Sequence, residues 1–328
     1  MIRVAVDIRT LAFTRAGISR YVSGLLVALA AREDVEVIPL GVPALVRPFW
    51  SPAVERWWED TWAPRRIRRT GCDVVHGTRY WAPEVNGISS VATIYDLSFE
   101  TAPEAYPSEA REYFATRVRQ AIARASVLIT MAGSVKRELV ARHRVSEERV
   151  EVVPPGIPEG FGPARAPGVR EPVVLAVGTV EPRKNFPVLI EALAQVRAQR
   201  PGVRLVIAGR RDRGWPAVED AMKIHRQGDA VRLVEGPSDA ELAELYRAAA
   251  VVACPSLDEG FGFPALEAMA CGAPVVAANR GALPEVVGEA ISLASNMLVL
   301  RQGADRWRTH GDSAGVHSSD ATNAFRNM

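Results

Sequence analysis

Two series of short apolar runs alternate with helix-period stretches, and five prolines part them; no other feature constrains this chain as strongly. The first series contains the strand-like runs IRVAVD, VEVIPL, DVVHG, SVATIYD, SVLIT and VEVVP. Between them lie ISRYVSGLLVALAAR, with Tyr21, Leu25 and Leu29 at helical spacing, then SEAREYFATRVRQAIARA and SVKRELVARH. Parallel strands need long crossovers and helices supply them, so this alternation predicts an α/β chain with a parallel sheet covered on both faces. Pro154, Pro155, Pro158, Pro163 and Pro167 then crowd PPGIPEGFGPARAPG, which can continue neither a helix nor a central strand. After it PVVLAVG, NFPVLIEALAQVRAQ, VRLVIAG, VRLVEG, SDAELAELYRAAA, VVACP, FPALEAMACG and APVVAAN restart the alternation. Two doubly wound domains facing one another are expected, over 1–160 and 161–293. Ligands in such sheets bind outside the carboxyl ends of the strands, which places the default site in a cleft between the domains. From about Ala294 one apolar run (Met297 to Leu300) precedes a polar mixture without period, read as a flexible tail over 294–328.

Composition narrows the class. The length of 328 residues suits about two domains, and 48% hydrophobic with 24% charged residues is ordinary for a folded chain. Forty basic residues against 38 acidic give a net charge of +2, too small an excess for a dedicated nucleic-acid binder. Only Lys136, Lys184 and Lys223 are lysines, so each is worth inspecting. Cys72, Cys254 and Cys271 have no C-x-x-C spacing and imply neither a disulfide framework nor a zinc site. No metal ligand set is expected. No apolar run reaches the ~18 residues of a membrane span, and MIRVAVDIRT reads as a first strand rather than a signal peptide. A cytoplasmic location follows as the expectation.

Three strings carry candidate chemistry. In SLDEGFGFPALEAMACGAPVV, a loop with Gly260, Phe261 and Gly262 precedes Pro264, which starts a helix. Free backbone N–H groups and the positive dipole end there form a seat for a phosphate or diphosphate. Glu267 lies one turn into that helix, where it can accept hydrogen bonds from a sugar diol, and Glu259 lies in the loop. In AVGTVEPRKN, Gly178 and Thr179 close a strand, and Arg183 and Lys184 stand adjacent just before a helix. Adjacent cations at a strand's carboxyl end suit an anion; taken alone, they also fit a solvated surface pair. In TRAGISRY, Gly17 opens the first helix, where backbone can approach a ligand closely.

Together with DVVHGTRYWAP, TIYDLSF and VVPPGI, these strings resemble the retaining group 1 glycosyltransferases of family four, from residue 1 to about 293. The best-fitting subgroup is similar to bacterial mannosyltransferases of O-antigen and exopolysaccharide assembly. The resemblance implies the GT-B fold and a nucleotide-diphosphate sugar as donor substrate, GDP-mannose favoured over UDP- or dTDP-sugars, with no other cofactor. It implies a saccharide or lipid-linked acceptor. Arg183 and Lys184 would hold the donor diphosphate, Glu267 the ribose, and Glu259 would face the donor sugar. Backbone N–H groups of Gly260, Phe261 and Gly262 would lie near its hydroxyls and phosphates. Gly17 would approach the diphosphate from the first domain, and Asp96 would border the acceptor and the reacting carbon. The implied chemistry is metal-free transfer on one face of the sugar, with the leaving phosphate taking the acceptor proton; the absence of D-x-D agrees with it.

The chain departs from the pattern twice. Many relatives have histidine where Tyr95 stands, and they continue for further strand–helix units after GALPEVVGEA, ending in a helix that crosses back onto the first domain. A second domain incomplete at its C-terminus predicts a looser hinge and low or absent activity. The competing readings are a nucleotide-binding remnant without transfer and a GT-B nucleotide-sugar epimerase. Separately, RPFWSPAVERWWEDTWAPRRIRR gathers Trp50, Trp57, Trp58 and Trp62 with Arg65, Arg66, Arg68 and Arg69. That mixture suits peripheral contact with an anionic membrane. Glu55, Glu59 and Asp60 interrupt the face, which favours instead a helix packed on its own domain with a solvated basic end.

Overall fold

The computed structural model of the chain describes residues 1–13, 17–164 and 169–288, and the course of the backbone at 292–294, 297–299, 302–303 and 306–307. Most of the segment read as a flexible tail, and Thr14, Arg15 and Ala16 of TRAGISRY, lie outside the described residues. The chain divides into two compact units, 1–103 with 107–156, and 104–106 with 157–328.

The first unit carries β1 (Ile2–Asp7), α1 (Gly17–Ala30), β2 (Val35–Leu40), α2 (Pro52–Trp57), α3 (Ala63–Arg68), β3 (Val74–Gly77), β4 (Ser89–Thr93), α4 (Ser98–Thr101), α5 (Ser108–Arg124), β5 (Val127–Thr130), α6 (Gly133–His143) and β6 (Val150–Val152). Its six strands are all parallel, in the order β2-β1-β3-β4-β5-β6. Ala5, Leu40 and Val75 are buried against Trp58, Ile67 and Trp81. The order reverses between β1 and β3, which opens a crevice at their carboxyl ends.

The second unit carries β7 (Glu171–Val177), α7 (Pro187–Arg197), β8 (Arg204–Ala208), α8 (Trp215–Ile224), β9 (Val231–Val234), α9 (Asp239–Ala248), β10 (Ala249–Cys254), α10 (Phe263–Ala270), β11 (Val275–Ala278) and α11 (Leu283–Val287). Five parallel strands run in the order β9-β8-β7-β10-β11. Leu175, Val252 and Ala277 enter one core, while Ala176, Val251, Ala253 and Val276 enter the other. Successive strand residues point to opposite faces, so a sheet buried on both sides needs the near-continuous apolar runs seen in the sequence. Two antiparallel strands, β12 (Ser292–Ala294) and β13 (Met297–Val299), extend this sheet beyond β11. The run at Met297 thus adds a strand just past the point where strand–helix alternation ends. Here too the order reverses, between β7 and β10, so the loops following these two strands share one crevice.

The tryptophan-rich segment packs on its own unit, one of the two readings its sequence allowed, through pairings that local pattern did not reveal. Ser51 caps α2 by accepting a hydrogen bond from the Val54 N–H at 3.4 Å, and a π-helical turn (Trp58–Trp62) joins α2 to α3. Glu55, Trp58 and Glu59 face inward and are buried. They meet Arg9, itself only 1% exposed, which hydrogen-bonds Asp7 through Nε at 3.0 Å and Glu59 through Nη1 at 2.7 Å. Its guanidinium also lies 4.4 Å from the Trp58 ring centre. Glu59 pairs further with Arg117, and Glu55 with Arg79 at 2.9 Å. Three carboxylates and three guanidinium groups thus tie together the ends of β1 and β3, the α2–α3 segment and α5.

Candidate active site

The predicted cations and the first loop carboxylate meet at the β7/β10 switch point. Arg183 and Lys184 lie in a short 3-10 turn (Pro182–Lys184) after β7, and Glu259 lies in the loop after β10. Lys184 Nζ donates to Glu259 Oε1 at 2.5 Å, and Arg183 Nη1 donates to Glu259 Oε2 at 2.9 Å and to the Asp258 carbonyl at 2.6 Å. Ser256 Oγ adds a hydrogen bond to Oε1 at 2.6 Å. Two further bonds lace the same two loops: the Leu257 N–H donates to the Arg183 carbonyl at 2.9 Å, and the Asn185 side-chain Nδ2 donates to the Pro255 carbonyl at 3.3 Å.

Burial of Glu259 opposes its charge. The Lys184 ammonium and the Arg183 guanidinium outweigh that opposition, helped by the hydrogen bonds from Lys184 and Ser256, and hold the carboxyl down to about 2. A depressed carboxyl contributes stability that is complete above the ordinary carboxylate range and is lost as pH falls toward about 2. At neutral pH the group is therefore a fixed anion set against two cations.

Glycines shape the loops. Gly178 has φ +142°, and a Cβ there would lie 3.1 Å from Lys184 Cε, so the Lys184 stem runs directly over the strand end. A Cβ at Gly281 would fall 2.3 Å from Asp258 Oδ1 and 2.4 Å from the Glu259 carbonyl, and the Ala282 N–H donates to that same carbonyl at 2.8 Å. The Gly281–Ala282 backbone therefore clasps the Glu259 loop from behind. Thr179 is half-buried beside Gly178. Gly260 and Phe261 are buried, and Phe261 packs edge-on against Phe263 at 5.3 Å. Gly262, with φ +102°, turns the chain into α10, and Pro264 stands in its first turn. Glu267, on α10, is fully buried, and its Oε2 accepts a hydrogen bond from the Tyr246 hydroxyl at 2.9 Å.

Gly17 and Asp96 belong to the first unit. Gly17 is the first residue of α1 and is half-buried. Asp96 follows β4 and is half-buried; its Oδ1 accepts hydrogen bonds from the Ser98 N–H at 3.1 Å and the Ser98 hydroxyl at 2.7 Å. The Asp96 N–H donates to the Tyr80 hydroxyl at 3.2 Å. Tyr95 is buried, donates to the Thr78 carbonyl, and packs edge-on against Tyr21 and Tyr80 with ring centres 5.7 Å away in each case. Tyr95 is thus packed into the core of the first unit, its hydroxyl held by a backbone carbonyl. A histidine does lie close by: His76, on β3, hydrogen-bonds Thr93 at 2.8 Å, and burial pushes it down to about 4, so it is neutral.

Several supporting residues escaped the sequence reading. Ser256 carried no motif. AGRRDRG has the wrong spacing for a dinucleotide fingerprint, yet its glycines are structural. A Cβ at Gly209 would sit 2.0 Å from the Gly178 carbonyl, and one at Gly214 would sit 2.8 Å from the Val180 carbonyl. Two glycines in the loop after a strand, Gly209 directly at its end and Gly214 five residues on, were the available signal.

Comparison with known proteins assigns the architecture and then the family. The fold matches solved GT-B glycosyltransferases. Anabaena Alr3699/HepE, crystallised with UDP-glucose, superposes with a TM-score of 0.68 at 16% identity, over 100% of this chain and 89% of that one. WaaG, a glycosyltransferase involved in lipopolysaccharide biosynthesis, gives 0.67 at 20% identity, over 88% of this chain and 84% of that one. The Glycosyltransferase Family 4 model matches residues 15–161 and the Glycosyl transferases group 1 model matches residues 164–300. The chain belongs to the group 1, family 4 glycosyltransferases. O-antigen chain mannosyltransferase B of Escherichia coli is 31% identical over 66% of this chain and 60% of the relative. The D-inositol 3-phosphate glycosyltransferase of Segniliparus rotundus is 37% identical over 52% of this chain and 40% of the relative. The MMP alpha-(1->4)-mannosyltransferase of Mycolicibacterium hassiacum is 33% identical over 67% and 57%. The chain thus spans 40% to 60% of the length of these relatives.

Proposed function

We propose that the chain is a retaining, metal-independent hexosyltransferase. It moves a sugar, mannose favoured, from a nucleotide-diphosphate donor to a saccharide or lipid-linked acceptor in surface-polysaccharide assembly. The observation that carries this reading is the meeting of Arg183, Lys184 and the N-terminus of α10 at one switch point. Two of the relatives are named as mannosyltransferases, which favours GDP-mannose. Alr3699/HepE is described with UDP-glucose, which keeps UDP-sugars as the alternative donor. In the reaction the bond between the anomeric carbon and the diphosphate oxygen breaks. The acceptor oxygen bonds to the same face, and its proton passes to the departing phosphate oxygen. Negative charge grows on the diphosphate, and preorganised cations aimed at it lower the barrier without reorganising. Arg183, Lys184 and the α10 dipole supply that field, and Glu259 positions the sugar.

The test is thermal unfolding with GDP, UDP, dTDP and ADP, each with and without magnesium. A ligand held only by the folded chain stabilises it, by about 2.7 kcal/mol at a hundredfold excess over Kd. GDP is expected to raise the Tm most, equally with and without magnesium. No shift from any nucleotide refutes the reading. Tyr95 supports a second reading, donor binding without transfer, because its hydroxyl is spent on the Thr78 carbonyl. That reading requires a GDP shift without mannosyl transfer from GDP-mannose.

Peripheral membrane contact belongs to the same proposal. Two of the acidic residues that interrupt the tryptophan–arginine face, Glu55 and Glu59, are turned inward onto arginines. The outer side keeps a groove of about 270 Å³ lined by Trp57, Thr61, Trp62, Arg65, Arg66 and Arg69. Among the described residues no carboxylate pairs with these three arginines, and no helix is long and apolar enough to cross a membrane. The chain is expected to float with phosphatidylglycerol-containing vesicles at low salt and to remain behind with neutral ones. Equal recovery with both removes the membrane contact.

A further inference from the structure

The cations assigned to the donor already hold an anion. Lys184 Nζ and Arg183 Nη1 each point at an oxygen of Glu259, at 2.5 and 2.9 Å, and Ser256 fixes the nearer oxygen at 2.6 Å. The side chains of Arg183, Lys184 and Glu259 are 13%, 12% and 10% exposed, so the pair is closed to solvent on most sides. The cavity beside it, lined by Lys184, Ser256, Glu259, Gly262, Pro264 and Leu283 among others, holds about 10 Å³. That is room for one water at most. The cavity beside the cations therefore has no room for a diphosphate while the carboxylate stays where it is.

We propose that Glu259 is a resident anion in the diphosphate seat, displaced from Arg183 and Lys184 when the donor binds. The inference rests on the donor-binding reading of this site and adds an order of events to it. Glu259 offsets one of the two positive charges, so the adjacent cations are not left wholly uncompensated at a buried position. An incoming diphosphate carries more negative charge than one carboxylate and supplies more acceptor oxygens, so it wins the exchange on Coulomb grounds. The freed carboxylate remains on the loop that precedes α10, beside the place where the sugar of the bound donor would lie. Displacement therefore delivers Glu259 to the sugar hydroxyls only after the diphosphate is seated. A ligand with a sugar but no diphosphate leaves the carboxylate in its ion pair.

The exchange makes an unusual demand on affinity. Removing a binding-site carboxylate should tighten the binding of the bare anion, because nothing then competes for the cations. The experiment is calorimetric titration of inorganic pyrophosphate, in magnesium-free buffer, into the wild-type chain and into Glu259→Gln and Ser256→Ala. Thermal melts confirm that each variant is folded. Glu259→Gln is expected to bind pyrophosphate at least about tenfold more tightly, equivalent to about 1.4 kcal/mol. Ser256→Ala, which only loosens the carboxylate, is expected to tighten it about two- to fivefold. Binding by Glu259→Gln that is equal to wild type, weaker or absent overturns the proposal. If that variant fails to fold, Ser256→Ala decides in the same way, by binding tighter or not. GDP and UDP titrated in parallel separate this inference from the one beneath it. Tighter pyrophosphate binding without any preference for a nucleotide leaves Glu259 as the resident anion and refutes the nucleotide-sugar reading.

Discussion

Arg9→Met is expected to lower the unfolding free energy by about 3–5 kcal/mol, the cost of removing one partner from a buried charge pair. Arg9 is 1% exposed, and its guanidinium is the link between Asp7 and Glu59. Burial works against its charge, but Asp7, Glu59 and Glu55 more than compensate, so its pKa is raised and it stays protonated at any working pH. Methionine keeps most of the packing volume against Trp58 and Trp81. The loss thus reports the carboxylates left behind rather than a cavity. For Glu59, burial outweighs the attraction of Arg9 and Arg117 even in the intact network, and its pKa is raised. A raised carboxyl favours the folded state below the ordinary carboxylate range and loses that advantage as pH rises through the folded value. Without Arg9 it rises further, so the deficit should be smaller near about pH 5 than near about pH 8. Urea unfolding at both pH values measures this. Combining Arg9→Met with Asp7→Asn should recover part of the loss. An Arg9→Met chain within about 1 kcal/mol of wild type at both pH values would show that the network is dispensable.

That network also marks the limit of what the sequence disclosed. The alternation of strands and helices follows from local pattern, because apolar runs and helical periodicity are properties of neighbouring residues, whereas the strand order, and with it both switch points, is set by long-range pairing. Arg183, Lys184 and Glu259 were legible because each stands beside a strand end or a glycine turn. Their mutual pairing was not, since Glu259 lies 76 positions from Arg183. In the tryptophan-rich segment the carboxylates interrupting the basic face favoured a helix packed on its own domain, and that is what forms; their partners were not legible, since Arg9, Arg79 and Arg117 reach Glu55 and Glu59 from other elements. Gly281 is a similar case. Its sequence neighbourhood suggests an ordinary turn before a helix, while its requirement for no side chain comes from the Glu259 loop pressed against it. Tyr95 shows the converse. A departure read as a question about chemistry meets a packing arrangement, with two tyrosine rings and a backbone carbonyl absorbing the residue.

Lys184→Ala is expected to reduce kcat for sugar transfer by about 10²–10³-fold, the effect of deleting one preorganised group that stabilises developing negative charge. The donor diphosphate is already anionic in the ground state, so Lys184 also contributes to binding. Its larger contribution belongs to the transition state, where the bond to the anomeric carbon stretches and charge accumulates on the bridging oxygen. KM for the donor should therefore rise by much less than kcat falls. Lys184→Arg is not a conservative rescue. The ammonium reaches Glu259 Oε1 as a compact donor whose stem passes 3.1 Å from the Cβ position of Gly178, and a planar guanidinium needs more room than that passage gives. Arg183→Lys keeps a cation with more space around it, and should retain more activity than Lys184→Arg. Steady-state kinetics with GDP-mannose and a saccharide acceptor, on the chain and the three variants, resolves the order. Equal and large rises in KM at unchanged kcat would instead make Lys184 an anchor for the donor, with no special part in the departure of the diphosphate.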